Sequence, residues 1–245
     1  LGEGEGGAAS LGLATLDGGN GPGLYGGVLT EGPGSAAGEV NGDGFADLVI
    51  GSPLGSPGGE RFAGQTDVVF GAAGGFAATL DLPSLDGIKG FHINGIDTWD
   101  NSGSSVSSAG DVNGDGFDDL AIGADRAAPG GDDQAGETYV VVGTGAGFPV
   151  SLDLSSLDGT NGCRVDGIDV DDRSGASVAP AGDVNGDGFD DLVIGASEAG
   201  AGETYVVFGK LGAFAAALDL SVLDGANGFR LEGLDGGDLS GQSVR

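Results

Sequence analysis

One nine-residue stretch recurs at fixed spacing and limits what this chain can become. Asp-Val-Asn-Gly-Asp-Gly-Phe-Asp-Asp occupies 111–119 and is followed at once by the apolar run Leu-Ala-Ile-Gly-Ala at 120–124. The stretch returns at 183–191 with Leu-Val-Ile-Gly-Ala behind it, and an earlier copy runs from Glu39 to Asp47, followed by Leu-Val-Ile-Gly-Ser. From Glu39 to Asp111 is 72 residues, and from Asp111 to Asp183 is 72 again. Repetition at a fixed period marks an architecture in which each repeat is one supersecondary unit that its neighbours complete.

Carboxylate or amide oxygens stand at loop positions 1, 3, 5 and 9, with Gly at position 6. A bend at that glycine would fold the short side chains around one point. Several hard oxygens converging on one centre suit Ca²⁺, which accepts six to eight oxygen ligands at flexible geometry. The pattern assigns Asp111, Asn113, Asp115 and Asp119 as side-chain ligands in the second copy, with the backbone carbonyl of Phe117 as a fifth. In the third copy the set is Asp183, Asn185, Asp187, Asp191 and the carbonyl of Phe189. In the first it is Glu39, Asn41, Asp43, Asp47 and the carbonyl of Phe45. Waters would complete each shell, giving about three Ca²⁺ sites, one per complete repeat. Glu39 brings a longer arm to position 1 and is expected to shift or weaken that site.

The bland alternative is a polar turn, because Asn, Gly and Asp favour turns on their own account. Three copies in register weigh against it. An EF-hand loop carries a bidentate Glu at position 12 and sits between helices. Position 12 here is Ile50, Ile122 or Ile194, inside an apolar run too short and too β-branched for a helix. A dockerin-like module shares the hexapeptide but also continues into a helix.

Within one period the pattern predicts four short strands. The first lies at 104–109, with a copy at 174–179, and the loop leads into the second at 119–123. The third lies at 138–142, with copies at 66–70 and 204–208. A Leu-Asp-Leu segment (80–82, 152–154, 218–220) precedes the fourth, at 91–96, 163–168 and 229–234. After the third loop the period shortens to 66, because 123–136 is compressed to 195–202. Length change confined to one connection is how a surface loop behaves. Four antiparallel strands per repeat describe a β-propeller blade, which buries its faces only against other blades. The expected fold is therefore all-β. It comprises about three full blades plus part of a fourth, one segment over 1–245 with repeats near 11–75, 76–147, 148–213 and a partial 214–245.

Gly and Pro make up about a quarter of the chain, which without periodicity would argue for low complexity. With it, the glycines read as turns and close strand approaches. The net charge of −30, from 8 Lys and Arg against 38 Asp and Glu, excludes nucleic acid as a favoured partner, since phosphate binding needs clustered cations. Three bound Ca²⁺ would bring −30 only to −24, and the remaining acid favours solubility. Cys163 is the only cysteine and stands where Phe91 and Phe229 stand in the neighbouring repeats, so a small buried hydrophobe is expected there. No basic-then-apolar leader and no long apolar run occurs, so no membrane insertion is expected.

The motifs resemble the FG-GAP repeats of the integrin α-subunit propeller, most nearly the extended repeat found in bacterial proteins. The resemblance rests on Ser-Gly-Ala-Ser-Val at 174–178, on 181–196 with its loop and apolar run, and on Gly-Glu-Thr-Tyr-Val-Val-Phe-Gly at 202–209. It extends from about Leu11 onward. It implies that the aspartate loop joins two strands of a blade and binds Ca²⁺, and that the propeller has seven blades. The chain supplies three loops and stops after Ser-Gly-Gln-Ser-Val-Arg at 240–245, so a fragment is expected, or a propeller completed by other chains or missing segments. Residues 23–36 lack the Ser-Gly-x-Ser-Val strand, so the first blade is expected to be atypical.

Candidate catalytic groups are few. His92 is the only histidine; its counterparts are Arg164 and Arg230, and it is expected exposed on the fourth strand, without the orienting partner a base needs. Ser102–Ser108 reads as a strand and its approach, not as a nucleophile elbow. Trp99 is a loop residue, expected to pack rather than to contact a partner. The recurring pairs Asp97/Asp100, Asp169/Asp172 and Asp235/Asp238 are expected to satisfy backbone amides at turns. The functional expectation is a non-catalytic Ca²⁺-binding propeller module of a secreted or surface protein, serving adhesion or assembly with a protein or glycan partner. The alternatives are an architectural subunit of an extracellular assembly, or a non-catalytic part of a larger secreted hydrolase or lyase.

Overall fold

A computed structural model describes residues 33–235 and 238–245, together with the backbone of Gly23–Tyr25. Among the described residues the regular structure is β-strand and short 3-10 turns, without an α-helix. The expected start of the first repeat near residue 11 lies outside the described residues. Two compact units are distinguished, Leu1–Leu29 with Ala72–Ser84, and Thr30–Gly71 with Leu85–Arg245. In the first unit, β1 (Gly23–Tyr25) pairs in parallel with β5 (Thr79–Asp81), Leu24 opposite Leu80.

The second unit holds three sheets. The first contains β2 (Gly34–Gly38), β3 (Asp47–Ser52), β4 (Gln65–Val69) and β6 (Gly90–Asn94), each antiparallel to the next. The second contains β7 (Ser105–Gly110), β8 (Asp119–Ala124), β9 (Glu137–Val141) and β11 (Gly162–Asp166) in the same order. The third repeats it with β12 (Ser177–Gly182), β13 (Asp191–Ala196), β14 (Glu203–Val207) and β16 (Gly228–Glu232). These are the blades that the period predicts, with the fourth strand shifted toward the N-terminus in each.

Two expectations need correcting. The Leu-Asp-Leu segments are not plain connections: β10 (Ser151–Asp153) and β15 (Ala217–Asp219) are fifth strands that pair in parallel with β6 and β11 of the preceding sheet. Leu152 lies opposite Ile93 and Leu218 opposite Val165, so the two-residue alternation points each central leucine toward the core. Three residues are too few for that alternation to be read from sequence. Second, Gly-Ser-Ala-Ala-Gly at 34–38 forms β2 without the later motif. Its small residues are what the position requires, because β2 and β12 both lie against β7.

The packing explains why the run after each loop is apolar throughout. Leu120, Ile122 and Ala124 of β8, with Tyr139 and Val141 of β9, pack with Val49, Val68, Phe91 and Ile93 of the first sheet. Ala121 and Val140, the residues between them, pack with Leu192, Ile194 and Tyr205 of the third. Alternate residues of one strand thus face two different neighbours, and both faces of the second sheet are buried. Fully burying a Leu, Ile or Val side chain contributes roughly 1.5–3 kcal/mol, so this two-sided core dominates the cohesion of the sheets.

Candidate metal centre

Each loop joins the first strand of a sheet to the second. The first strand ends in a bulge, where the register slips between Ser108 and Gly110, and equally between Ala36 and Gly38 and between Pro180 and Gly182. Gly110 has φ 74°, and a Cβ there would collide with the Asp190 carboxylate of the next sheet. At position 6, Gly116 has φ 91°, which permits the bend expected of it.

In the second loop Asp111 accepts from three loop amides, with Oδ1 taking Gly114 N at 2.7 Å and Asp115 N at 3.0 Å, and Oδ2 taking Gly116 N at 2.9 Å. Asn113 Oδ1 accepts from Asp115 N at 2.8 Å, and its Nδ2 donates to Asp115 Oδ2 at 3.0 Å. Asp115 Oδ1 accepts from Phe117 N at 3.0 Å. The third loop repeats every one of these bonds through Asp183, Asn185, Asp187 and Phe189. Positions 1, 3 and 5 are therefore gathered on one turn.

Position 9 is placed differently. Asp119 is fully buried beneath the loop, Oδ2 accepting from Val112 N at 3.0 Å and Oδ1 from Gly143 N at 2.9 Å. Asp47 and Asp191 make the corresponding bonds to Val40 and Gly71, and to Val184 and Gly209. Burial pushes the Asp119 carboxyl up to about 7 against the pull of these two amides, and the charges of Asp115 and Asp111 push the same way. Asp47 is raised chiefly by burial, with Asp43 and Glu39 adding to it. Among the described residues no three His, Cys, Asp or Glu side chains are drawn into a metal-holding group.

The donors nonetheless fit a hard cation by chemistry. All are carboxylate or amide oxygens, and each carboxylate group keeps at least one lone pair beyond the amide bonds it makes. The repulsion from Asp115 and Asp111, which adds to the effect of burial on Asp119, is what a divalent cation would relieve. In the first loop Glu39 makes none of the position 1 bonds, and its Oε1 is buried without a hydrogen-bond partner. Asn41 and Asp43 keep theirs, Asp43 N donating to Asn41 Oδ1 and Phe45 N to Asp43 Oδ1, both at 2.9 Å.

Sequence reasoning missed position 8. Asp118 Oδ2 accepts from Glu39 N at 2.7 Å, and Asp118 N donates to the Glu39 carbonyl at 3.1 Å, clamping the loop of the preceding sheet. Asp190 does the same to Asp111, at 3.0 and 3.2 Å. The signal was the Asp-Asp doublet at 118–119 and 190–191, which the first copy replaces with Ala46-Asp47.

His92 is corrected as well. It lies on β6 as expected, but its side chain is only 17% exposed, and Nδ1 stands 2.6 Å from Asp67 Oδ1, which also accepts from Gln65 Nε2 at 2.8 Å. The corresponding place in the second sheet holds Arg164, 2.5 Å from Asp166 and 3.6 Å from Glu137, with Tyr139 donating to Glu137. These are polar ladders across the third and fourth strands. The Asp-x-x-Asp pairs form turns as expected, Asp97 N donating to Asp100 Oδ2 at 3.3 Å and Asp235 N to Asp238 Oδ2 at 3.0 Å. Burial pushes Asp100 up to about 7 and Asp172 up to about 6, with neighbouring acids adding in each case. Trp99 is half exposed and packs edge-on to Phe62, centroids 4.8 Å apart, with the Arg61 guanidinium 4.7 Å from its ring.

The FG-GAP repeat matches this chain over 32–69, 102–141 and 174–207, in each case the first three strands of a sheet with the loop between the first two. Integrin alpha-V of Gallus gallus is 31% identical over 163 residues, covering 64% of this chain and 14% of that protein. Integrin alpha-4 of Xenopus laevis is 30% identical over 164 residues, 65% of this chain and 14% of the relative. Integrin alpha-PS5 of Drosophila melanogaster is 30% identical over 172 residues, 68% and 15%. The chain thus spans about one seventh of the length of these relatives.

Proposed function

Starting from a chain that carries an FG-GAP, integrin-α-like domain, we propose that it is a Ca²⁺-stiffened binding module of a secreted or surface protein, serving adhesion or protein assembly without catalysis. The observation that carries this reading is the set of three loops in register, whose oxygen donors at positions 1, 3 and 5 share one turn in the second and third copies. The ligand sets are those of the three loops: Asp111, Asn113, Asp115, Asp119 and the carbonyl of Phe117, with their equivalents. A cation bound at positions 1, 3 and 5 would pin the turn that the position 8 aspartate of the next sheet grips, so metal occupancy would stiffen each junction. No helix among the described residues is long and apolar enough to cross a membrane.

A partner surface is suggested by the third sheet. Val184 and Leu231 are 52% and 51% exposed, whereas their counterparts Val112 and Val165 in the second sheet are 3% and 1% exposed. Another blade, from the same protein or from another chain, would cover that face as the third sheet covers the second. A protein or glycan would then be bound by the assembled propeller.

The test is a calorimetric Ca²⁺ titration together with attachment of chain-coated beads to protein and glycan matrices, in Ca²⁺ and in EGTA. Binding at micromolar to millimolar Ca²⁺ with attachment lost in EGTA is the expected result. Absence of any Ca²⁺ heat, or attachment indifferent to both EGTA and Asp115→Ala with Asp187→Ala, would overturn the proposal.

A further inference from the structure

The junction between the first and second sheets is filled by three phenyl rings. Phe91 stacks on Phe148 with centroids 4.2 Å apart and planes 7° from parallel, and Phe70 leans on both at 5.8 Å. The same three places at the next junction are held by Cys163, Phe214 and Val142, because Cys163 lies opposite Val140 as Phe91 lies opposite Val68. Where Phe91 puts a ring, Cys163 puts only a thiol, and the neighbouring sheets have not closed over that difference. A cavity of about 170 Å³, partly open to solvent, remains, walled by Val140, Cys163, Leu192, Val207 and Phe214. Lys210 and Asn227 also line it, with the Lys210 ammonium 5.3 Å from the centre of the Phe214 ring.

We propose that this cavity is a binding site for a small, uncharged, ring-shaped apolar molecule, which takes the place of the missing phenyl ring between the second and third sheets. The size is right: an apolar protein cavity of about 150 Å³ stays dry and admits benzene or xenon. The shape is right as well, because Phe214 stands where Phe148 stands and offers a ring to stack on, and stacked aromatic pairs gain attraction beyond burial of area. Water finds few of the two to four polar partners it needs along Val140, Cys163, Leu192, Val207 and Phe214, so an apolar guest displaces it from that wall at little cost. The Cys163 thiol is pushed up to about 12 by burial, so it remains protonated and the guest is held without a covalent bond.

Benzene is the probe, applied to the whole 245-residue chain by calorimetry and by thermal unfolding. One benzene per chain and an upward shift of the melting temperature are expected. Cys163→Phe should fill the space, raise the melting temperature without ligand and lose benzene binding. Should that variant fail to fold, Cys163→Leu, which fills it in part, should weaken binding. Phe91→Cys opens the equivalent space at the other junction and should raise the stoichiometry from one to two. No benzene binding to the unaltered chain, or binding that Cys163→Phe and Cys163→Leu both leave intact, would overturn the proposal.

Discussion

The two junctions between neighbouring sheets share their rims and differ in their interiors. At both, a position 8 aspartate, Asp118 or Asp190, grips the backbone of the preceding loop. The ring of Phe117 or Phe189 also lies against the loop glycine of the preceding sheet, Gly42 or Gly114. Inside, one junction holds Phe70, Phe91 and Phe148 in contact, and the other holds Cys163 and Phe214 beside a cavity. The same hydrogen bonds and ring contacts at the loops thus tie the sheets together at both junctions, while a cavity borders the interior of the second. A core that could relax would have closed over the lost ring, and partial relaxation is what makes cavities costly.

The largest expected contrast follows directly. Phe91→Ala should destabilise by about 3–5 kcal/mol, as other buried Phe truncations do. Cys163→Ala, removing one sulfur from a wall that already borders empty space, should cost about 1 kcal/mol or less. Urea unfolding of both variants measures this, and equal losses would show that the two interiors are filled alike.

Calcium should separate the loops rather than the cores. At a free concentration a hundredfold above its dissociation constant, each site that binds only the folded chain adds about 2.7 kcal/mol. Asp115→Ala and Asp187→Ala should each remove one such increment from the EGTA-sensitive part of the melting curve. Glu39→Asp should add to it, by restoring the position 1 geometry seen in Asp111. A first loop unaffected by that change would mean that the longer arm of Glu39 is harmless.

The rims should respond equally at both junctions. Asp118→Ala and Asp190→Ala each leave a partly buried amide without its acceptor and should cost about 1–2 kcal/mol. Unequal costs would show that the clamp depends on how the interior behind it is filled.

The smallest difference concerns pH. The folded chain raises Asp100 to about 7 and Asp172 to about 6, against an ordinary value of 3.8, burial being the main cause. The folded state then holds protons that the unfolded state releases, so stability falls as pH rises. The fall should run from about pH 4 to 7 for Asp100, with Asp119 contributing over the same range, and stop near 6 for Asp172. Asp100→Asn should flatten the upper part of that slope in chelator-treated protein, and a slope unchanged by it would place the proton elsewhere.

Most of the blade plan was legible in the chain. The 72-residue period, the β-branched runs after each loop and the glycine at position 6 act locally, through backbone sterics and residue alternation, so they could be read without a partner in view. The LDL strands could not. Three residues carry no usable period, and β10 and β15 become strands only because β6 and β11 offer free edges. His92 was misjudged for a similar reason: its burial depends on Asp67 and Gln65, which lie 25 and 27 residues away in sequence and adjoin it only across the pairing of β4 with β6.

The sequence by itself determined that this chain would make repeated four-stranded β units joined by oxygen-rich turns, because turn chemistry and strand alternation are short-range. Only the tertiary structure decided that position 9 turns inward to staple two amides, that position 8 reaches across to the next loop, and that Cys163 leaves a space where Phe91 fills one. The first depends on where the third strand of the same blade ends, and the other two on which backbone or side chain arrives from another blade, and none of these distances is written in the loop itself.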